Sequence, residues 1–341
     1  MADDKLYDFA IIGGGAAGLS AGIYAERYKM KTVVVRGKDP GGETAIAATV
    51  ENYPGFKSID GYELIQKMED HAVSTGVELR DGEVIDVLRQ KHCFDLLLTD
   101  GTHLLSRTIC FALGARHRRL GLPKEKELTG RGISYCTTCD APLYKGKEII
   151  IVGGGDSSVK GANLAGEYVT KIYFIVRGGK ITAEPVNWDR FETNLVKTGK
   201  AEILYNTAIK EILGTDKFEG VRLSKPYKES DVLKAGGLFV QIGALPNNEM
   251  AKKLGVELDE KGYIHVDKFM KTNVDGIFAA GDITDGAGPF RQDIIAAAQG
   301  AMAATSAYQD LGVHGGMACE VHALPIIAPK SIPPRNKKKV P

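Results

Sequence analysis

Hydrophobic positions along the chain fall into two runs with the same order of elements. The first, "YDFAIIGGGAAGLSAGIYAERYKMKTVVVRG", opens as an apolar strand, breaks at glycines, continues as an Ala-rich helix pattern and closes in a β-branched run. That is a βαβ unit of about thirty residues with Gly13-x-Gly15-x-x-Gly18 at the strand-to-helix turn. Gly13 permits the tight turn, Gly15 lets the backbone approach a pyrophosphate, and Gly18 lets helix and strand pack closely. The helix N-terminus favours the negative charge. The second run, "KEIIIVGGGDSSVKGANLAGEYVTKIYFIVRGG", repeats the pattern with Gly153-x-Gly155-x-x-Ser158. Serine stands where the third glycine would be, so a structural α/β repeat that binds nothing stays open beside a second dinucleotide site.

Late in the chain, "TNVDGIFAAGDITDG" predicts a strand that delivers Gly281 and Asp282 towards an Ala-rich helix in "FRQDIIAAAQGAMAATSAYQDLG". A carboxylate and free N–H groups at such a junction suit a polyol phosphate. Asp after Gly is also a common cap or turn residue.

A chain of 341 residues exceeds the usual size of a single core, so two domains are expected. The 44 basic and 43 acidic residues balance, which gives no electrostatic reason to expect nucleic acid or a membrane surface as partner. A small molecule or a protein fits better. The N-terminal stretch passes from acidic residues into a strand and no apolar run of about eighteen residues occurs, so neither a signal peptide nor a membrane span is visible and a cytoplasmic location is expected.

Five cysteines in a reducing compartment predict free thiols with one working pair. Cys93, Cys110 and Cys319 stand alone and read as inert thiols. Cys136 and Cys139, in "SYCTTCD", are spaced as half a zinc site, a staple or a redox pair. Zinc needs a second ligand pair, which is missing at ligand spacing. A disulfide across two residues closes too small a loop to stabilise much and is reducible in a cytosol. Redox work therefore fits best. Such a pair at a helix start gains thiolate character from free N–H groups and the helix dipole. Asp140 follows and is placed to move a proton, or to act as a helix-start charge.

"GGGAAG", "VENYPG", "SYCTTCD", "GGGDSS" and "AAGDITD…RQ" occur in an order and spacing that resembles the low-molecular-weight thioredoxin reductases, over about residues 5 to 312. The resemblance implies an α/β fold of two Rossmann-like dinucleotide-binding domains, the second inserted into the first. It implies an FAD domain from residues 1–118 and 244–320 and an inserted nicotinamide domain over 119–243 that carries the CxxC; a Pro/Lys-rich tail over 321–341, with Lys337, Lys338 and Lys339 near its end, extends past the family's usual end. It places Gly13, Gly15, Ala16, Gly18, Arg36, Gly41, Gly42, Glu43, Asn52, Val84, Gly114, Gly281, Asp282, Arg291 and Gln292 at FAD. Gly153, Gly155, Ser158 and Arg177 fall at the nicotinamide nucleotide. Cys139 would face the flavin, Cys136 would attack thioredoxin, and Asp140 would serve as acid and base. A homodimer is also implied, as is alternation by domain rotation about the turn-rich crossings.

Two departures qualify this. Arg36 stands where many FAD-binding folds place an acidic residue for the ribose. In the inserted domain the basic cluster that receives a 2′-phosphate is reduced to Val176-Arg177-Gly178-Gly179, with Thr182 at the position of the last arginine. Weak use of both NADPH and NADH is therefore predicted, with a reduced deazaflavin or ferredoxin as other possible donors. The expected activity is two-electron transfer from a donor through FAD to Cys136/Cys139 and on to a thioredoxin disulfide. A dithiol oxidase using oxygen and a flavin-binding sensor without turnover are the rivals.

Overall fold

The β-branched runs that flank each glycine loop become parallel neighbours in a sheet. A computed structural model of the chain describes residues 5–37, 41–47, 49–288, 290–314 and 319. The tail over 321–341, with Lys337, Lys338 and Lys339, lies outside the described residues. The chain is α/β and divides into two units, residues 1–41, 67–113 and 248–341 forming one, and residues 42–66 and 114–247 the other. Residues 42–66, which the sequence reading places in the first domain, group with the second unit.

In the first unit the strand Leu6–Ile12 pairs in parallel with Thr32–Val35 on one side and with His103–Phe111 on the other, in register Ile12↔Val35 and Ile12↔Phe111. Glu78–Arg80 extends one side, and Ile277–Ala279 joins His103–Phe111 in parallel. The hairpin of Val84–Gln90 and Cys93–Leu98 completes the sheet antiparallel. Strands buried on both faces read as continuous apolar runs, which is why Phe9, Ile11, Phe111 and Phe278 are fully buried. Each such side chain contributes about 1.5–3 kcal/mol on burial.

The helix Ala16–Arg27 covers this sheet and is itself covered by the helix Asp293–His314. Gly300 makes that crossing possible, because a Cβ there would lie 2.0 Å from Ala17 O. The carbonyl of Ala17 thus occupies the space a side chain would need.

In the second unit a five-stranded parallel sheet runs in the order Ala201–Leu204, Lys171–Ile175, Glu148–Val152, Gly237–Val240, Ile133–Ser134. A three-stranded antiparallel meander, Ile209–Leu213, Gly220–Tyr227 and Ser230–Lys234, packs its apolar side on one face. Helices carrying Val159, Ala162, Phe191 and Leu195 close the other. The two turn-rich crossings pair with each other: Ala115–His117 lies antiparallel to Ala244–Pro246, in register Leu245↔Arg116.

One expectation is corrected here. Cys93 and Cys319 are not solitary thiols but form a disulfide, with Cα atoms 5.4 Å apart across 226 positions of sequence. A pairing that distant leaves no spacing signature for the sequence to show. Cys110 is a free thiol, fully buried, and burial pushes its thiol pKa well up. Among the described residues no helix is long and apolar enough to cross a membrane.

Candidate functional site

The first glycine loop is held from three sides. Gly13 N–H donates to Val35 O at 2.9 Å, which fixes the turn to the second strand. Gly13 has φ +125°, and a Cβ there would meet Ala112 O at 2.2 Å; one on Gly18 would meet Gly13 O at 1.8 Å. Neither position tolerates a side chain. Gly15 differs. It caps the helix Ala16–Arg27 in extended backbone without any side-chain cap, and its Cβ would meet only Gly41 O, at 3.8 Å. The first-turn N–H groups of a twelve-residue helix therefore face a cradle that a bulky residue at Gly15 would fill.

Other predicted residues gather around the same unit. Gly281, at φ +83°, donates its N–H to Gln299 Oε1 at 2.8 Å, and a Cβ there would lie 3.1 Å from Ala17 Cβ. It brings Asp282 to the neighbourhood of the first helix turn. Arg291 stacks its guanidinium 3.8 Å over the Tyr263 ring and keeps its Nε buried without a hydrogen-bond partner. Gln292 follows at the start of the last helix, and Val84 is buried in its strand. Arg36 is occupied: its Nε donates to Asp81 Oδ1 at 3.0 Å and its Nη1 pairs with Glu69 Oε2 at 3.1 Å. Gly42, Glu43, Asn52 and Gly114 belong to the second unit, with Glu43 3.5 Å from His117 Nε2.

The second loop repeats the construction with one change. Gly153 N–H donates to Ile175 O at 3.0 Å, and a Cβ on Gly153 would meet Gln241 O at 2.2 Å. Gly155 caps the helix Asp156–Ala165 in the same extended backbone, again without a side-chain cap, and nothing lies within 4 Å of its would-be Cβ. Ser158 takes the place of the third glycine and turns its hydroxyl onto Gly155 O at 2.6 Å. Asp156 accepts from Glu184 N–H and Asn187 Nδ2, both at 2.9 Å, with Lys160 Nζ also at 2.9 Å. Burial alone would raise its carboxyl pKa, but these bonds outweigh it and hold the group below the usual range.

Past the next strand, Arg177 is exposed, and the turn through Gly178 and Gly179 brings in a second exposed cation, Lys180. Thr182 N–H then donates to Gly154 O at 2.7 Å, stitching this turn to the glycine loop. Among the described residues neither Arg177 nor Lys180 is in an ion pair. Comparison with the basic cluster position by position overlooks Lys180, which stands three residues after Arg177.

Cys136 and Cys139 form a disulfide with Cα atoms 5.4 Å apart, so the pair is not half of a zinc site. Cys136 caps a single turn, Thr137–Asp140, and its Sγ accepts from Cys139 N–H at 3.1 Å. A four-residue turn carries little macrodipole, so the expected dipole effect gives way to this one local N–H. Ser134 Oγ accepts from Cys136 N–H at 3.0 Å. Cys139 is exposed and Cys136 half-buried. Asp140 is half-buried at the end of the turn, where its charge adds to the larger effect of burial in raising the Tyr144 phenol pKa.

The dithiol is tied to the second loop by packing. Thr137 is buried against the helix Asp156–Ala165, where a Cβ on Gly161 would come within 2.7 Å of Thr137 Oγ1. Gln241 touches both features: its Nε2 donates to Tyr135 O at 2.6 Å, and its carbonyl lies over Gly153. Glu125, which the sequence reading missed, is buried and accepts from the N–H groups of Leu120 and Gly121, both at 2.8 Å, and from Tyr135 Oη at 2.7 Å. Burial and this carboxylate push the Tyr135 phenol up to about 12, so it stays a donor. No local sequence pattern marks a glutamate whose partners are backbone groups.

A disulfide across Cys136 and Cys139 packed beside one glycine loop, with a second such loop in the other unit, decides the relationship. The sequence profile of the pyridine nucleotide-disulphide oxidoreductases matches residues 7–307. The chain belongs to this family, within it to the thioredoxin reductases. It is 37% identical over 308 residues to the thioredoxin reductase of Bacillus subtilis, covering 90% of this chain and 95% of that one. It also matches the crystal structures of thioredoxin reductase from Lactococcus lactis, with TM-score 0.83, and from T. acidophilum, with TM-score 0.82. Each is 35% identical, over 90% of this chain and 99% of the other.

The family is FAD-dependent, and the first unit fits that cofactor. The uncapped N-terminus beyond Gly15 suits the pyrophosphate, and the unpartnered Nε of Arg291 supplies a buried donor. The dithiol oxidase and the non-catalytic sensor are not favoured by these relatives.

Proposed function

We infer that the protein takes two electrons from a reduced donor by way of FAD, stores them as the Cys136/Cys139 dithiol, and delivers them to the disulfide of a thioredoxin-class protein. The observation that carries this is the Cys136–Cys139 disulfide packed through Thr137 onto the helix of the second glycine loop. FAD, when bound, supplies the exchange of an electron pair between a nicotinamide and a disulfide. The rest belongs to the chain's own residues.

Opening the Cys136–Cys139 bond takes up two electrons and two protons and gives two thiols. Cys139 N–H, already aimed at Cys136 Sγ, favours thiolate character there, and Asp140 is the nearby carboxylate that can hold or release a proton. Cys136 Sγ as thiolate then attacks one sulfur of the partner's disulfide, and Cys139 resolves the mixed disulfide, returning the pair to its oxidised form. Cys136 is assigned the outer role and Cys139 the flavin-facing one by their matched positions in the family motif. A cytoplasmic homodimer acting on thioredoxin, with the crossing ribbon of Ala115–His117 and Ala244–Pro246 as hinge, completes the proposal.

For the donor, Arg177 and Lys180 supply two exposed charges for a 2′-phosphate, and among the described residues neither is in an ion pair with a carboxylate. Discrimination between NADPH and NADH is accordingly modest.

The proposal is tested with Cys136→Ser. Flavin reduction by donor should persist while thioredoxin turnover falls by about a thousandfold or more. Cys139→Ser should lose turnover and also electron transfer from flavin to the pair. Near wild-type turnover in either variant removes the dithiol from the mechanism.

A further inference from the structure

The second disulfide is not used by the mechanism, and its two ends differ in origin. Cys93 begins a strand of the first unit's hairpin, whereas Cys319 follows the last helix by five positions and lies beyond residues 7–307, where the family profile matches. The fold is already closed before that point, since the helix Asp293–His314 is locked against Ala16–Arg27 through Gly300. The bond therefore ties Cys319, which lies past the last helix, to a strand of this sheet. We propose that Cys93–Cys319 is a second redox site, a tether that a thioredoxin-class dithiol reduces while the protein remains folded.

The two sulfurs are set up unequally for exchange. Cys93 is 2% exposed, and Cys319 is half-buried, so an incoming thiolate reaches Cys319 first. Cys93 is then the leaving group. It lines a cavity of about 220 Å³ with Arg89, His92 and Arg107, opposed there by Asp275 and Asp310. Arg107 spends one nitrogen on Asp8 Oδ1 at 2.7 Å and keeps its Nε buried with no partner, leaving a donor in the wall that Cys93 shares. A buried N–H donor of this kind stabilises a departing thiolate by hydrogen bonding to its charged form. Cys110, the free thiol of the described residues, is fully buried with its pKa driven up, so it offers no competing exchange.

The step balances as ordinary thiol–disulfide exchange. A thiolate of the partner dithiol bonds to Cys319 Sγ, the Cys93–Cys319 bond breaks, and Cys93 leaves as a thiolate and takes a proton. The partner's second thiol attacks the mixed disulfide and releases Cys319. The tether gains two electrons and two protons, and the dithiol becomes a disulfide. The site goes beyond the proposed activity; only the supply of its reductant rests on it. The oxidised tether would report a depleted pool of reduced thioredoxin.

The test uses the full chain carrying Cys136→Ser and Cys139→Ser, so that turnover plays no part. Native protein is exposed to purified reduced thioredoxin, trapped with N-ethylmaleimide and mapped by peptide mass spectrometry. In the air-oxidised sample the Cys93 and Cys319 peptides should be linked, and after native treatment both should carry the alkyl group. Thermal unfolding gives a second reading: reduction, or Cys319→Ser, should lower Tm by roughly 10 °C, as opening a loop of this length implies. Alkylation of both cysteines in the oxidised sample overturns the tether. A link that survives native reduced thioredoxin and opens only in denaturant overturns its redox role. Since the reductant is supplied from outside, these results stand apart from the failure or success of the disulfide-reductase reading.

Discussion

The two glycine loops share one plan and differ in how tightly they are held. In the first, Gly18 sits where any side chain would strike Gly13 O, the covering helix is clamped by Gly300 against Ala17, and the strand-end cation Arg36 is neutralised by Asp81 and Glu69. In the second, Ser158 fits and donates to Gly155 O, the space around Gly155 is open, and Arg177 and Lys180 stand exposed. A resident cofactor needs a rigid, fully formed cradle; a donor that arrives and leaves each cycle is served by an open one. The residual cations also divide as the ligands would require. FAD carries no 2′-phosphate, and the first loop has its cation already satisfied.

Gly18→Ala should break the comparison most severely. Its Cβ meets a carbonyl of the loop itself, so the cost is about 3 kcal/mol or more, and the protein should lose FAD or fold poorly. Ser158→Ala should cost only about 1 kcal/mol, the value of one hydroxyl bond, and keep FAD. Flavin content and thermal unfolding of the two variants give the answer. If they behaved alike, the loops would not differ in rigidity as described.

The donor side should respond less. Arg177→Ala and Lys180→Ala should each lower kcat/KM for NADPH by about two- to fivefold, the worth of an exposed ion pair, and leave NADH almost unchanged. A thousandfold preference for NADPH in the wild type would show that an additional cation holds the phosphate.

The smallest expected effect concerns Asp156. Its folded pKa lies below the ordinary 3.8, so its hydrogen bonds stabilise the protein above that pH and are lost as pH falls through the lower folded value. The Tm advantage of wild type over Asp156→Asn should therefore shrink below about pH 4 and be constant above it. An advantage that grew on acidification would contradict the assignment.

Much of this architecture was legible because it is local. The strand–glycine–helix runs announce themselves by a change of hydrophobic period, and Cys136 and Cys139 by their spacing. The Cys93–Cys319 bond was not legible, because nothing in sequence links positions 226 apart. Arg36 could be placed at a strand end, but its satisfaction by Glu69 and Asp81 depends on a helix and a turn that only the fold brings near. Lys180 falls outside the spacing of the basic cluster, yet the turn through Gly178 and Gly179 is stitched back to Gly154 by Thr182 and so carries Lys180 alongside the loop. Glu125 and Gln241 act through backbone groups, which leave no residue pattern to recognise.

The central claim is that electrons placed on the enzyme leave through Cys136 and Cys139 to a protein disulfide. The direct measurement is anaerobic: the FAD-loaded protein is given two electrons per flavin with dithionite, mixed with oxidised thioredoxin, and the new thiols are counted. The account predicts close to two new thiols per enzyme, counted on thioredoxin together with any passed from it to Cys93 and Cys319, with the flavin returning to its oxidised spectrum, and none of this transfer in Cys136→Ser. Flavin that stays reduced in the presence of oxidised thioredoxin, and reoxidises only when oxygen is admitted, would contradict it.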